Sequence, residues 1–189
     1  MNTVLSDAAL TAQVQAGDDR AFDELMRRYK RPVLNFIFRM LGDASEAEDI
    51  ALDVFVRVYR ALTGGGYRAG RAEFSTWLFQ IARHASLDFL RHQKRHPTQP
   101  LPELEGEACQ AVSEKTAPQE LAARETGAQI AAAIAELPED QRTAIILAEY
   151  EDRSQNEIAA IMKTSEKSVE ARLYRARQFL RRRLAKLLE

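Results

Sequence analysis

Residues 154–184 read SQNEIAAIMKTSEKSVEARLYRARQFLRRRL, two helical segments separated by a two-residue break. In the first, Ile158, Ala159, Ile161 and Met162 fall at helical spacing, and Ser154 with Glu157 three residues on makes a capping pair. Lys163 and Thr164 leave a short turn, after which Ser165 can cap a second helix. Val169, Leu173, Ala176, Leu180 and Leu184 then form one apolar stripe at steps of three and four. Off that stripe lie Lys167, Ser168, Arg172, Arg175, Arg177, Arg181, Arg182 and Arg183. A helix packed along one side and studded with guanidinium groups on the other suits the major groove of DNA. A solvated amphipathic helix would carry the same stripe, but not the same charge. Residues 163–189 hold nine Lys/Arg against three Glu, a net of +6.

Outward from this stretch, charge is segregated. The whole chain of 189 residues has a formal net charge of -1, which names no partner. Residues 68–96 carry six Lys/Arg and two acidic residues, whereas residues 97–125 carry two basic and six acidic ones. The last two thirds therefore read basic, acidic, basic. The length allows one domain or two small ones. Nothing approaches a run of eighteen apolar residues, and the N-terminus lacks a basic-then-apolar signal pattern, so no membrane insertion is expected. A lone cysteine, Cys109, excludes an internal disulfide and suits a reducing cytoplasm. It sits in a polar, Glu-rich stretch and reads as a tolerated linker thiol rather than a redox sensor.

Taken in order, the chain predicts a short helix over 6–16, capped by Ser6 and stopped by Gly17. A longer one follows over 18–41, with Phe22, Leu25, Met26, Tyr29, Val33, Phe36, Ile37 and Met40 at helical steps. Pro32 should kink it or interrupt its hydrogen bonds. Asp43 with Glu46 opens a third helix that runs to about Leu62, its apolar face Ile50, Val54, Phe55, Val58 and Leu62. Residues 63–70 contain four glycines and predict a flexible loop. A fourth helix spans about 74–95, with Trp77, Leu78, Ile81, Ala85 and Phe89 or Leu90 inward. Residues 97–117 have three prolines, several Glu and little periodicity, which is linker composition. Helix returns over 118–137 and 139–151, and then comes the helix-turn-helix. The expectation is an all-α chain of two small helical domains, 1–96 and 118–189, joined by a flexible linker over 97–117.

No catalytic set assembles, so no enzymatic activity and no cofactor are expected. Gly64-Gly65-Gly66 is not followed by the Lys-Ser/Thr that a phosphate-cradling loop needs. His92 and His96 are four apart and could share a metal on one helix face, but no cysteine or carboxylate nearby completes a site. More informative is 67–96, where Tyr67, Phe74, Trp77, Phe79 and Phe89 are interleaved with Arg68, Arg71, Arg83, Arg91, Lys94 and Arg95. Single-stranded nucleic acid is bound by such mixtures, bases stacking on rings while cations hold the backbone. Trp77 reads as core, and Phe74, at the loop-to-helix join, as the ring placed to touch a base.

A segment suited to single strands, tethered by an acidic linker to a helix-turn-helix suited to duplex, is one resemblance short of a function. With EAEDIALDVFVRVYRAL, FSTWLFQIARHASLDFLRHQKR and LPEDQRTAIILAEYEDRSQNEIAAIM in that order, the chain resembles the extracytoplasmic-function (ECF) sigma factors of bacterial RNA polymerase, from about Asp18 to the end. The resemblance implies a dissociable promoter-specificity subunit. Its N-terminal domain would bind core RNA polymerase and open the −10 element, and its C-terminal domain would read the −35 element as duplex. It places polymerase docking on the helix from Glu46 to Leu62, with Asp49, Asp53 and Arg57 exposed. Capture of a flipped −10 base and melting fall to Phe74, His84 and Asp88, with Arg91 and Lys94 on phosphates. Major-groove reading falls to Lys167, Ser168, Ala171, Arg172 and Arg175, arginine on guanine being the commonest specific contact. Arg177 and Arg181 to Arg183 are assigned to phosphates or polymerase. It further implies an anti-sigma protein as inhibitor, with the linker allowing a compact inactive form. Because the chain stops at Glu189, just past the recognition helix, the signal would have to arrive through another molecule.

Four positions depart from the family's usual pattern. His84 replaces a common Asn, which leaves the preferred −10 base open. Asp152 replaces a helix-ending Gly, but Asp tolerates left-handed backbone, so the turn should survive. Glu170 stands where a basic residue is more usual and can accept from cytosine N4. Leu52 replaces a polar residue on the docking helix and would enlarge its apolar contact. A stand-alone helix-turn-helix regulator with a ligand-sensing N-terminal domain is the alternative. The aromatic-plus-basic segment and the acidic docking helix count against it.

Overall fold

A computed structural model of the chain describes residues 5–68, 70, 72–96 and 118–185. The linker assigned to 97–117, Cys109 within it, and Arg71 lie outside the described residues. Eight helices and no strand are found among those described: α1 (Asp7–Gln15), α2 (Asp19–Leu41), α3 (Ala44–Thr63), α4 (Phe74–Arg95), α5 (Pro118–Ala135), α6 (Glu139–Glu149), α7 (Gln155–Met162) and α8 (Glu166–Arg183).

Local chemistry sets most of the boundaries. Ser6, Asp18, Asp43, Ser154 and Ser165 precede α1, α2, α3, α7 and α8, and each side-chain oxygen accepts from a backbone N–H two or three residues on. Ser154 and Glu157 complete a reciprocal capping box. Gly42 closes α2 at φ 82°, in the left-handed region where a side chain would be strained. Asp152 takes φ 49°, so the aspartate does hold the left-handed turn expected of it. Lys163 adopts φ 52° at the helix-turn-helix corner, which its residue type did not announce. Pro32 does not break α2, which runs unbroken through it. The next turn, Val33, Phe36 and Ile37, is fully buried, so tertiary packing holds the helix across the missing donor.

One buried cluster runs through both helical sets, with a centre of packing in each. In the first, α2, α3 and α4 pack with Phe36 edge-on to Phe79 at 5.5 Å, around Val54, Val58 and Leu62. Helix α1 lays Leu10 and Val14 onto it. The second gathers Ile145, Ile146 and Leu147 of α6, Ile158 and Ile161 of α7, and Val169, Leu173 and Ala176 of α8. The two helical sets touch along a seam where α4 meets α7 and α2 meets α6. Arg142 donates to the Met40 carbonyl at 2.8 Å, and Gln80 donates to the Ala160 carbonyl at 2.9 Å. Arg153 lies over the Phe79 ring at 5.0 Å, and Arg39 over Tyr150 at 4.1 Å.

Candidate nucleic-acid interface

On α3, the spacing 49, 53, 57 stacks Asp49, Asp53 and Arg57 on one outward face, as i,i+4 neighbours do. All three are exposed, and Arg57 pairs with Asp53 at 2.6 Å. Leu52, 64% exposed, and Val56 stand beside them. The helix therefore shows an acidic ridge flanked by bare aliphatic surface, a composition that water alone does not favour.

On α4 the rings are arranged differently from expectation. Phe74 is 3% exposed and sits edge-on to Tyr29 at 5.5 Å and to Tyr67 at 6.0 Å. It is part of the core and, as placed here, offers no face to a base. Helical side chains lean toward the N-terminus, so the first residue of α4 drops back over α2 instead of outward. Trp77, expected inside, is only partly buried and lies tilted against Tyr67 with centroids 4.6 Å apart. His84 and Asp88 are exposed one turn apart. Partial desolvation, then the positive charges of Arg83 and of Lys163 across the seam, hold the His84 imidazole below its ordinary pKa. Neutral imidazole is then its form at pH 7, one nitrogen donating and the other accepting. Arg91 pairs with Asp88 at 3.3 Å, and Lys94 reaches Glu139 of α6 at 2.7 Å. His92 and His96 stack at 4.9 Å at the end of α4. Among the described residues no group of three His, Cys, Asp or Glu is placed to hold a metal.

On α8 the apolar stripe is buried through Val169, Leu173 and Ala176, which turns Lys167, Glu170, Tyr174 and Arg175 to the outside. Ser168 and Ala171 are partly covered. Arg172 does not stand free: it donates to the Thr164 hydroxyl at 3.2 Å and to Asp140 at 3.1 Å, with its side chain 24% exposed. Arg177 is paired with Glu149 and Arg183 with Glu136, both at 2.8 Å. Arg181 and Arg182 remain exposed. Six cations that the sequence offers to DNA or polymerase, Arg57, Arg91, Lys94, Arg172, Arg177 and Arg183, thus have partners in their own chain.

Two residues beside these side chains were not singled out in the sequence. Asp140 takes Arg172 on one oxygen and Arg83, 12% exposed, on the other at 2.9 Å, so one carboxylate joins α4 to α8 through α6. Its partners lie 57 and 32 residues away, and no local pattern reports that. Tyr174 is 62% exposed, and its hydroxyl accepts from Gln178 at 2.6 Å. Here a signal existed: Tyr174 is the one aromatic of the helix on the polar side of the stripe. Nearby, burial pushes the Glu151 carboxyl up to about 7, against the pull of Arg39 and Arg153 and with the help of Asp152. Among the described residues no helix is long and apolar enough to cross a membrane.

Comparison with known proteins places both halves. Residues 25–96 match the family described as Sigma-70 region 2, and residues 127–180 match Sigma-70, region 4. The chain is 36% identical over its full length to RNA polymerase sigma-H factor of Pseudomonas aeruginosa, covering 98% of that protein. It is 34% identical, again over its full length and 99% of the relative, to ECF RNA polymerase sigma-E factor of Escherichia coli. Among solved structures, that of CnrH in complex with the cytosolic domain of CnrY superposes with a TM-score of 0.72 at 27% identity, covering 95% of this chain and 97% of that one. The sigma factor RpoE of Bartonella quintana, solved with the anti-sigma factor NepR, shares the fold at a TM-score of 0.66 and 21% identity, covering 87% and 96%.

Proposed function

Since the chain belongs to the ECF branch of the sigma-70 family, we propose the following division of labour for its surfaces as a promoter-specificity subunit. Core RNA polymerase docks on the acidic and aliphatic face of α3, through Asp49, Asp53 and Arg57 with Leu52 beside them. The −10 strand is captured along α4, with His84 and Asp88 on bases and Arg91 and Lys94 toward phosphates. The −35 duplex is read by α8, where Lys167, Ser168, Ala171 and Arg175 line the groove-facing side, Glu170 accepts from cytosine and Tyr174 meets a base edge or a thymine methyl. Phe74 supports the strand site from beneath, and Arg172 joins the duplex contact after exchanging Asp140 for DNA. The chain acts in the cytoplasm, binding and positioning without catalysing a reaction of its own.

The observation that carries this reading is the outward face of α8: a capped helix, apolar stripe inside, with Lys167, Glu170, Tyr174 and Arg175 exposed together. An anti-sigma protein is the proposed regulator. Support comes from an apolar groove of about 590 Å³ between the halves, lined by Leu34, Phe38, Ala47, Ile130, Ile134 and Tyr150. It suits the apolar face of a helix, the kind of segment a protein inhibitor could insert.

The experiment is transcription of a fragmented genomic library by purified core polymerase, with and without the chain. New start sites sharing −35 and −10 sequences only when the chain is added are the expected result. Tight duplex binding by the chain alone, with no new starts, would overturn the proposal and favour a free-standing regulator.

A further inference from the structure

We propose that α1 is a positioning element for the loop entering α4, and that the Gln15 side chain is its working contact. The inference rests on the reading of α4 as the −10 strand site, and it adds a part of the chain that precedes the matched residues 25–96. Residues 64–73 connect α3 to α4, with Gly65 at φ 72° and Gly70 at φ 88°. Such backbone has several routes open to it, so its course depends on what ties it down.

Four ties converge on Tyr67, one of them between its hydroxyl and the Thr11 side chain of α1. Its N–H donates to the Ala61 carbonyl of α3 at 3.0 Å. Its ring is buried against Phe74 and Trp77 of α4. Its carbonyl accepts from Gln15 Nε2 at 3.0 Å, a contact spanning 52 residues. The N–H and ring contacts come from the helices that flank the loop; the other two both come from α1, Thr11 on the ring's hydroxyl and Gln15 on the backbone. Helix α1 is itself fixed, since Asp7 takes Arg28 at 2.8 Å and the Tyr29 hydroxyl, while Leu10, Thr11 and Val14 are buried.

The consequence follows from peptide planarity. A trans peptide points its C=O and the next N–H in opposite directions, so a Tyr67 carbonyl held by α1 turns the Arg68 N–H away from α1. Arg68 is exposed where the chain turns from Tyr67 toward α4. Gln15 thereby sets the direction of Arg68 without touching DNA. A donor is required, because a carboxylate in its place would face the carbonyl with a second acceptor. Since Gln15 is itself exposed, replacing it should leave folding nearly unchanged.

The test uses full-length Gln15→Glu and Gln15→Lys variants with core polymerase on a promoter that the wild-type holoenzyme opens. Permanganate reactivity of unpaired −10 thymines is read beside polymerase affinity, −35 duplex retention and thermal midpoint. Gln15→Glu should lower strand opening by about tenfold, the upper worth of one neutral hydrogen bond. Gln15→Lys, which keeps a donor at similar reach, should open the promoter within about threefold of wild type, and the other three readouts should hold for both. Equal opening by Gln15→Glu and wild type would overturn the proposal. So would loss in both variants, or a loss matched by falling polymerase affinity or midpoint, which is what a merely structural contact gives. If the wild-type holoenzyme opens no promoter at all, the underlying −10 reading fails first, and the result is distinguishable from failure of Gln15.

Discussion

Helices α4 and α8 are the two that should meet DNA, and their surroundings differ. Helix α8 buries one stripe and leaves Lys167, Glu170, Tyr174 and Arg175 in solvent. Helix α4 is enclosed by α2 and α3 on one side and by α7 on another, and buries Phe74, Thr76, Leu78, Phe79, Ala82, Ala85, Ser86, Leu87 and Leu90. Its Arg83 and Lys94 are held by Asp140 and Glu139 of α6. If α8 reads duplex and α4 captures the strand, the first task needs only an exposed edge on a small packed unit, while the second is built on the central helix of a core. The two surfaces should respond to substitution in opposite ways: α4 through stability, α8 through affinity.

The largest effect should come from Phe74→Ala. Truncating a buried ring costs about 3–5 kcal/mol through lost transfer energy and the cavity left behind. Tyr174→Ala, at a position 62% exposed, should stay within about 0.5 kcal/mol of wild type while −35 binding falls. Urea denaturation of both variants checks the pair. Equal stability for the two would erase the contrast between the helices and return Phe74 to the surface.

Asp140→Asn comes next. It leaves Arg83 nearly buried without its carboxylate and frees Arg172. Asp140 itself is half exposed, so the loss should be about 1–2 kcal/mol, less than for a fully buried pair. A double-mutant cycle with Arg83→Ala measures the coupling, and additive losses would show that the bridge joins nothing. Ser154→Ala, removing one half of the capping box, should cost about 1 kcal/mol. Its unfolding midpoint in urea should shift without a change in slope.

These contrasts explain what the chain declared in advance. Helices were legible because their signals are local: Ser6, Asp43, Ser154 and Ser165 cap within three residues, and the α8 stripe repeats at three and four. Asp152 carried its left-handed turn in its residue type. The state of each arginine was not legible. Arg172 and Arg175 look alike in sequence, yet one is held by Asp140 from 32 residues away and the other is free to solvent. The same blindness hid the burial of Phe74, because periodicity gives a helix face but not which neighbouring helix closes over it. Pro32 removes one donor from α2 as its residue type dictates, and the packing of Val33, Phe36 and Ile37 carries the helix through it.

A graded effect is expected at the seam. Burial raises Glu151 to about 7 from an ordinary 4.5, with Arg39 and Arg153 opposing and Asp152 reinforcing. The folded state then holds more protons than the unfolded state between those values, so this group's contribution to stability falls as pH rises through that window. Solvent at this partly covered site keeps the change to about 1 kcal/mol or less. Glu151→Gln should flatten the slope in denaturation curves taken from pH 4.5 to pH 7, and an unchanged slope would assign it to other groups.

The smallest change in stability, with the largest separation between stability and binding, should come from α3. Asp53 and Arg57 are an i,i+4 pair at 2.6 Å, each about half exposed. Such pairs are worth about 0.3–0.5 kcal/mol, because water screens them and ordering two long side chains opposes them. Asp53→Asn should therefore leave the unfolding midpoint almost where it was. If the α3 face is the polymerase surface, the same variant should lose core-polymerase affinity and become more salt-tolerant in what remains, since a charge contact has been removed. Leu52→Ser, on the same face, should lose affinity without changing the salt dependence, because its contribution is apolar area. If Asp53→Asn lowers the midpoint and spares affinity, α3 is merely a solvated helix, and the polymerase must hold the chain elsewhere.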